Sequence, residues 1–209
     1  LSDKPGIITD DTTEITTSGQ AEITGAPPYT EDPSIGDETF TQFGGLSWAE
    51  LTAMASRTLP GGSINGTGPS LAGGECNTSD PFNWGDPDNP SSPCGSYFPI
   101  IHIQGDATIQ SGGIGQGILL VDGTLDLRGN FAFYGIVIVQ GSLDTQGNGN
   151  RVIGGVFAAN ASLDTQALVG GSVVQNSTCA VTRATENNAA PNRARPLAQR
   201  SWVDLSLVQ

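Results

Sequence analysis

Positive charge is scarce in this chain. Its 209 residues carry eight Lys and Arg against 21 Asp and Glu, a formal net charge of −13, and lysine occurs once, at Lys4. Phosphate binding needs clustered Lys and Arg, so the composition argues against nucleic acid as a partner. Anionic membrane surfaces are disfavoured by the same repulsion. Histidine also occurs once, at His102, and no Ser/His or Cys/His arrangement for nucleophilic catalysis can be assembled around it. No apolar run approaches the roughly 18 residues of a membrane span, so none is expected within the chain. The sequence begins at Leu1 with neither a methionine nor a signal-like segment. It reads as a processed or excised ectodomain whose targeting segment lies elsewhere.

Turn formers are abundant instead: 29 Gly and 13 Pro, with only 14% charged residues. Together with Thr, Ser and Asn between short apolar runs, this points to all-β structure with many tight turns. The charge is uneven. Ten acids precede residue 51 with Lys4 as the single base there, whereas Arg183, Arg193, Arg195 and Arg200 make the C-terminal end basic. Two oppositely charged ends suit pairing within one molecule or between neighbours, but an ordinary solvated surface is the reading favoured over it.

The apolar runs fall into register. IIHIQGDATI begins at Ile100, ILLVDGTLDL at Ile118, IVIVQGSLDT at Ile136, VFAANASLDT at Val156 and SVVQNSTCAV at Ser172, at offsets of 18, 18, 20 and 16 residues. A period near 18 predicts a single-stranded β-solenoid, each repeat one coil stacked on the last. Side chains alternate along a strand. Ala107, Leu125, Leu143, Leu163 and Cys179 therefore form an inward column, with Cys179 a buried free thiol filling apolar space. Asp126, Asp144 and Asp164 form the outward one. On the preceding strand Ile101, Leu119, Val137, Phe157 and Val173 point in. Ile100, Ile118, Leu120, Ile136, Ile138 and Val156 then make an outward apolar stripe that something must cover, a helix or another subunit. Glycines 117, 135, 155 and 171 sit where the coil turns.

One convincing helix is predicted, about 47–59. Ser47 and Glu50 make a capping box, and Leu51, Met54, Ala55 and Trp48 an apolar face, with Pro60-Gly61-Gly62 ending it. It is the candidate cover. The expected organisation is an N-terminal extended or β segment plus helix over 1–62, an irregular loop over 63–98, the solenoid core over 99–182, and a C-terminal segment over 183–209 that packs back. Residues 7–23 are β-branched enough to add further coils or an edge strand, and strand edges at solenoid ends need such caps. Cys76 and Cys94 flank a segment with no helical or strand period, which burial alone cannot hold. A disulfide is its natural staple and implies an oxidising compartment. A metal site would need a second CxxC or a nearby histidine, which the segment lacks.

NWGDPDNPSSPCGSYFPIIHI (83–103), GILLVDGTLDLRGNFAFYGIVIVQGSL (117–143) and RSW (200–202) resemble the secreted part of PilX-type pilus assembly proteins. These are pilin-like bacterial proteins with an N-terminal apolar helix and a C-terminal domain of repeated coils. The coil period is also similar to that of bactofilins, which are cytoplasmic and give no reason for the cysteine pair. The resemblance implies an extracellular pilus-associated role and supplies no catalytic residues. The N-terminal helix of that family is absent from this sequence.

Chemistry is invited mainly by the Asp126, Asp144 and Asp164 column. Carboxylates one coil apart match the separation in retaining glycosidases, and hard oxygen ligands suit Ca2+. Asp80, Asp86 and Asp88 are a second Ca2+ candidate, although their spacing does not follow the regular calcium loop. Trp84, Tyr97 and Phe98 could stack on sugar or anchor the loop. Asn65, Asn77, Asn160 and Asn176 stand in N-glycosylation sequons. No resident cofactor is expected. The expectation for function is a non-enzymatic surface subunit that associates with itself or with other pilus subunits. The alternatives are a carbohydrate-binding adhesin and a polysaccharide-active enzyme.

Overall fold

The computed structural model describes residues 4–5, 7–9, 17–18, 22–31, 42–43, 46–110, 112–146, 149–158, 168–169 and 171–188. Short strands come first: β1 (Ile7–Thr9), β2 (Thr17–Ser18), β3 (Glu22–Thr24), β4 (Tyr29–Glu31), β5 (Gln42–Phe43) and β6 (Leu46–Ser47). Helix α1 (Trp48–Ala53) follows, then β7 (Arg57–Asn65) and the hairpin β8 (Leu71–Ala72) and β9 (Glu75–Cys76). The main run is β10 (Ile100–Gln110), β11 (Ile114–Val121), β12 (Leu125–Arg128), β13 (Ala132–Val139), β14 (Leu143–Gln146) and β15 (Arg151–Ala158). β16 (Leu168–Val169), β17 (Val173–Asn176) and α2 (Thr178–Glu186) complete it.

The chain is a β-solenoid. Every pairing in its main sheet is parallel, and register partners lie one coil apart: Ile100, Ile118, Ile136 and Gly155, at steps of 18, 18 and 19 residues. Each coil has three strand segments, typified by 114–117, 118–121 and 125–128. The first two are separated by a glycine corner at Gly117, Gly135 and Gly154, with φ of 109°, 144° and 147°. No side chain fits these corners: a Cβ on Gly135 would lie 2.0 Å from the Gly117 oxygen. The corner from third segment to first is pinned by Asn150, whose amide donates to the Leu127 and Gln146 carbonyls while its Oδ1 accepts from the Phe131 N–H.

Alternation sorts the coils. Ile101, Leu119 and Val137 stack inside one wall, Ala107, Leu125 and Leu143 inside another, all 4% exposed or less. Val156 corrects the expected stripe. It pairs with Val137 and lies in the inner core, while Phe157 takes the outward position beside Ile138. The 19-residue step places the corner at Gly154 and shifts the alternation by one. The fifth run is a second correction. Val173 pairs with Arg151 at the start of a coil, and the chain then turns into α2. Cys179 accordingly lies in the first turn of α2 as an exposed free thiol, and not in the inner column.

The outer stripe is covered within the chain. Ile100, Ile118, Leu120 and Ile138 are buried and Ile136 half-buried, packed with Leu46, Trp48, Leu51, Met54 and Ala55 around α1 and with Ala184 of α2. The capping box of α1 is formed, Ser47 and Glu50 satisfying each other's backbone N–H groups. The helix is shorter than the predicted 47–59, because Arg57–Asn65 joins the ladder beside β10. Strands β1 to β4 lie beyond the last coil, and residues 189–209 lie outside the described residues. No helix among the described residues is long and apolar enough to cross a membrane.

Candidate functional site: the carboxylate column and its surroundings

The third wall displays Thr108, Asp126 and Asp144 in register on its outer side. Strands of neighbouring coils are about 4.8 Å apart, so the two carboxylates are near neighbours. Arg128, two residues from Asp126 and therefore on the same face, donates from Nε to Asp126 Oδ2 at 2.7 Å. Among the described residues Asp144 has no such partner in its column. Partial burial, and secondarily the charge of Asp126, hold its carboxyl above the ordinary 3.8. Asp164 and Asn160 lie outside the described residues.

The geometry is that of a strand wall carrying the Arg128–Asp126 pair and one carboxyl held above its ordinary value. A glycosidase pair must reach a bond from two sides, with one carboxyl kept as the acid and the other as the nucleophile. Here both project in the same direction, and Arg128 neutralises one. Among the described residues no three His, Cys, Asp or Glu side chains come together to hold a metal.

The loop acids do not converge either. Asp80 is held below 3.8 by the Ser70 hydroxyl, then by the Phe82 N–H, which donates to its Oδ1 at 2.9 Å. It acts as the cap of a turn. Asp86 donates its N–H to the Cys94 carbonyl, and Asp88 is exposed. The disulfide Cys76–Cys94 is formed. Trp84 has no exposed surface: it packs edge-on to Phe131 and Phe133 in the core, under Gly115, where any side chain would crowd Phe133 and the Trp84 Cβ. Gln116 fastens the loop from inside, its buried amide placed to donate to the Cys94, Gly95 and Tyr97 carbonyls. Of the other sequon residues, Asn65 is exposed, and Asn77 and Asn176 are half-buried.

One polar cluster escaped the sequence reading. His102 Nε2 lies 2.9 Å from Asp122 Oδ1, and Trp48 Nε1 donates to the same oxygen at 2.9 Å. His102 is 7% exposed and faces the Trp48 ring edge-on. The signal lay in the register: Asp122 is one coil and two residues beyond His102, at the turn after β11. The cluster clasps α1 to the solenoid.

No family model, curated protein or solved structure matches this chain.

Proposed function

We propose that the chain is a non-enzymatic structural subunit of the cell exterior, pilus-associated or part of a surface filament, that works by protein–protein assembly. The observation that carries the reading is how the fold uses its gathered polar groups. Asp126 is matched by Arg128, Asp122 by His102 and Trp48, and the Gln116 amide by three loop carbonyls. The Asp122 and Gln116 contacts join one part of the scaffold to another, the Asp126–Arg128 pair is local to β12, and none surrounds a space for a reacting molecule. The disulfide agrees with an oxidising exterior, and the WGDP…PCG junction supports the pilus-associated role by resemblance.

The adhesin reading has less behind it, because the buried Trp84 offers no stacking face. Immunogold labelling of thin-sectioned source cells tests the proposal, using antibody raised against this chain. Label along fibres or over the envelope is expected. Label confined to the cell interior overturns it.

A further inference from the structure

The body of the solenoid does not end on its own last strands. β15, β16 and β17 are each continued by a strand from the opposite end of the sequence. β1 lies on β15 with Ile7 beside Val156, β2 on β16 with Thr17 beside Leu168, and β3 on β17 with Glu22 beside Val173. All are parallel, and β4 follows on β1. Strands β1 to β4 therefore form an arm that closes the strand edges of the last coil, edges that would otherwise be open to pairing. β7, at the other end of the same ladder, pairs only with β10 among the described residues. Between β4 and β7 lie six ladder steps, roughly 29 Å.

The arm is lightly seated. Its pairing strands are three, two and three residues long, against eight for β11, β13 and β15. Among its described side chains its apolar contribution to the core is Ile7, with the partly buried Ile23 packed against that core. A cavity of about 720 Å³ opens at the seam, lined by Ile23, Thr24 and Pro28 of the arm and by Gln175, Asn176 and Cys179 of the body. The Thr24 hydroxyl is buried there without a hydrogen-bond partner. Interiors are normally close-packed and satisfied, so this seam is weaker than the coils below it.

We propose that the arm exchanges between copies: the edge formed by β15, β16 and β17 is a docking surface for β1, β2 and β3, and at high local concentration it takes the arm of a second copy. The contacts made are those already seen, so exchange trades only the effective concentration set by the connecting segment against that of other molecules. An arm from one copy on the end of the next is a head-to-tail contact, which propagates into a chain unless it closes into a ring. The inference rests on the assembly reading and names its partner as a second copy of this protein.

The test uses the full chain with Cys179→Ser. One preparation carries Glu22→Cys and the other Val173→Cys, positions that are register partners and exposed or half-exposed. Adjacent parallel strands bring such a pair within disulfide reach. After mixing at high concentration and mild oxidation, a linked dimer joined from 22 to 173 is expected by mass spectrometry. The double variant, oxidised when dilute, closes its own arm and stays monomeric on later concentration. If 22–173 linkage between copies does not exceed that between Glu22→Cys and a control Gln104→Cys at the opposite end, the proposal is overturned. Failed exchange with surface label retained removes only the exchange. Successful exchange with label confined to the cell interior removes the surface-assembly reading.

Discussion

Asp144 and Asp80 titrate in opposite directions, and the sign of each follows from its surroundings. Asp144 is held above 3.8 by burial and by the charge of Asp126. The folded chain thus binds this proton more tightly than the unfolded chain, and its contribution to stability falls as pH rises from 3.8 through the raised value. Asp144→Asn is expected to raise the melting temperature at neutral pH, with the gap from the parent closing as pH falls through that window. Asp80 is held below 3.8 by hydrogen bonds from Ser70 and Phe82. It contributes stability above its unfolded value and loses it as pH falls through the lowered one, so Asp80→Asn lowers the melting temperature at neutral pH and the gap closes in acid. Melting curves of the two variants from neutral pH to below 3.8 check both signs. A gap that fails to depend on pH would remove the assigned causes.

At the scale of elements, corners and covers matter most. Gly135→Ala places a Cβ against the Gly117 backbone, which cannot move without shifting the coil below. The expected loss is about 3 kcal/mol or more, the upper range of overpacking, read from urea unfolding. Leu51→Ala uncovers part of the outer stripe and is expected to cost about 2–4 kcal/mol. Trp48→Phe retains the apolar cover but loses the hydrogen bond to Asp122, a change of about 1 kcal/mol.

The same elements explain what was legible in the sequence. The coils at Ile100, Ile118 and Ile136 repeat both the apolar alternation and the glycine corner, so their register could be read directly. Gly154-Gly155 offers two candidate corners, and choosing the second displaced Val156 and Phe157 by one. β7 was hidden because 44 residues, including the disulfide-pinned loop, separate Arg57 from its partner Ile101, and Pro60-Gly61-Gly62 resembles a helix stop. Asn-Ser-Thr before α2 looked like continued coil, although Ser177 was already a sound N-cap. The cysteine pair was readable because its segment had no other means of support. The clasp of Trp48, Asp122 and His102 was not, since it depends on where α1 crosses the coils.

For the molecule as a whole, stability should grade along the solenoid axis. The middle coils have a ladder on both sides and enclose the wholly buried Leu119, Val121, Leu125, Leu127 and Phe133. Opening them breaks parallel pairing in two directions and exposes apolar area worth about 25 cal/mol per Å². The arm has two- and three-residue pairings and an incompletely packed seam. Solenoids unfold as coupled neighbouring units, not as one indivisible block, so local openings should differ strongly between these regions. Amide hydrogen exchange is therefore expected to be slowest in β11 and β13, intermediate in α2, and fastest in β1 to β3. The disulfide holds the loop over the opposite end, so reduction should accelerate exchange in residues 76–98 and lower global stability by about 3 kcal/mol. It should leave the arm unchanged, because the arm lies beyond β15, several coils away. Uniform protection across the arm and the middle coils would show one cooperative block, and would leave no low-stability element from which an exchanging arm could be drawn.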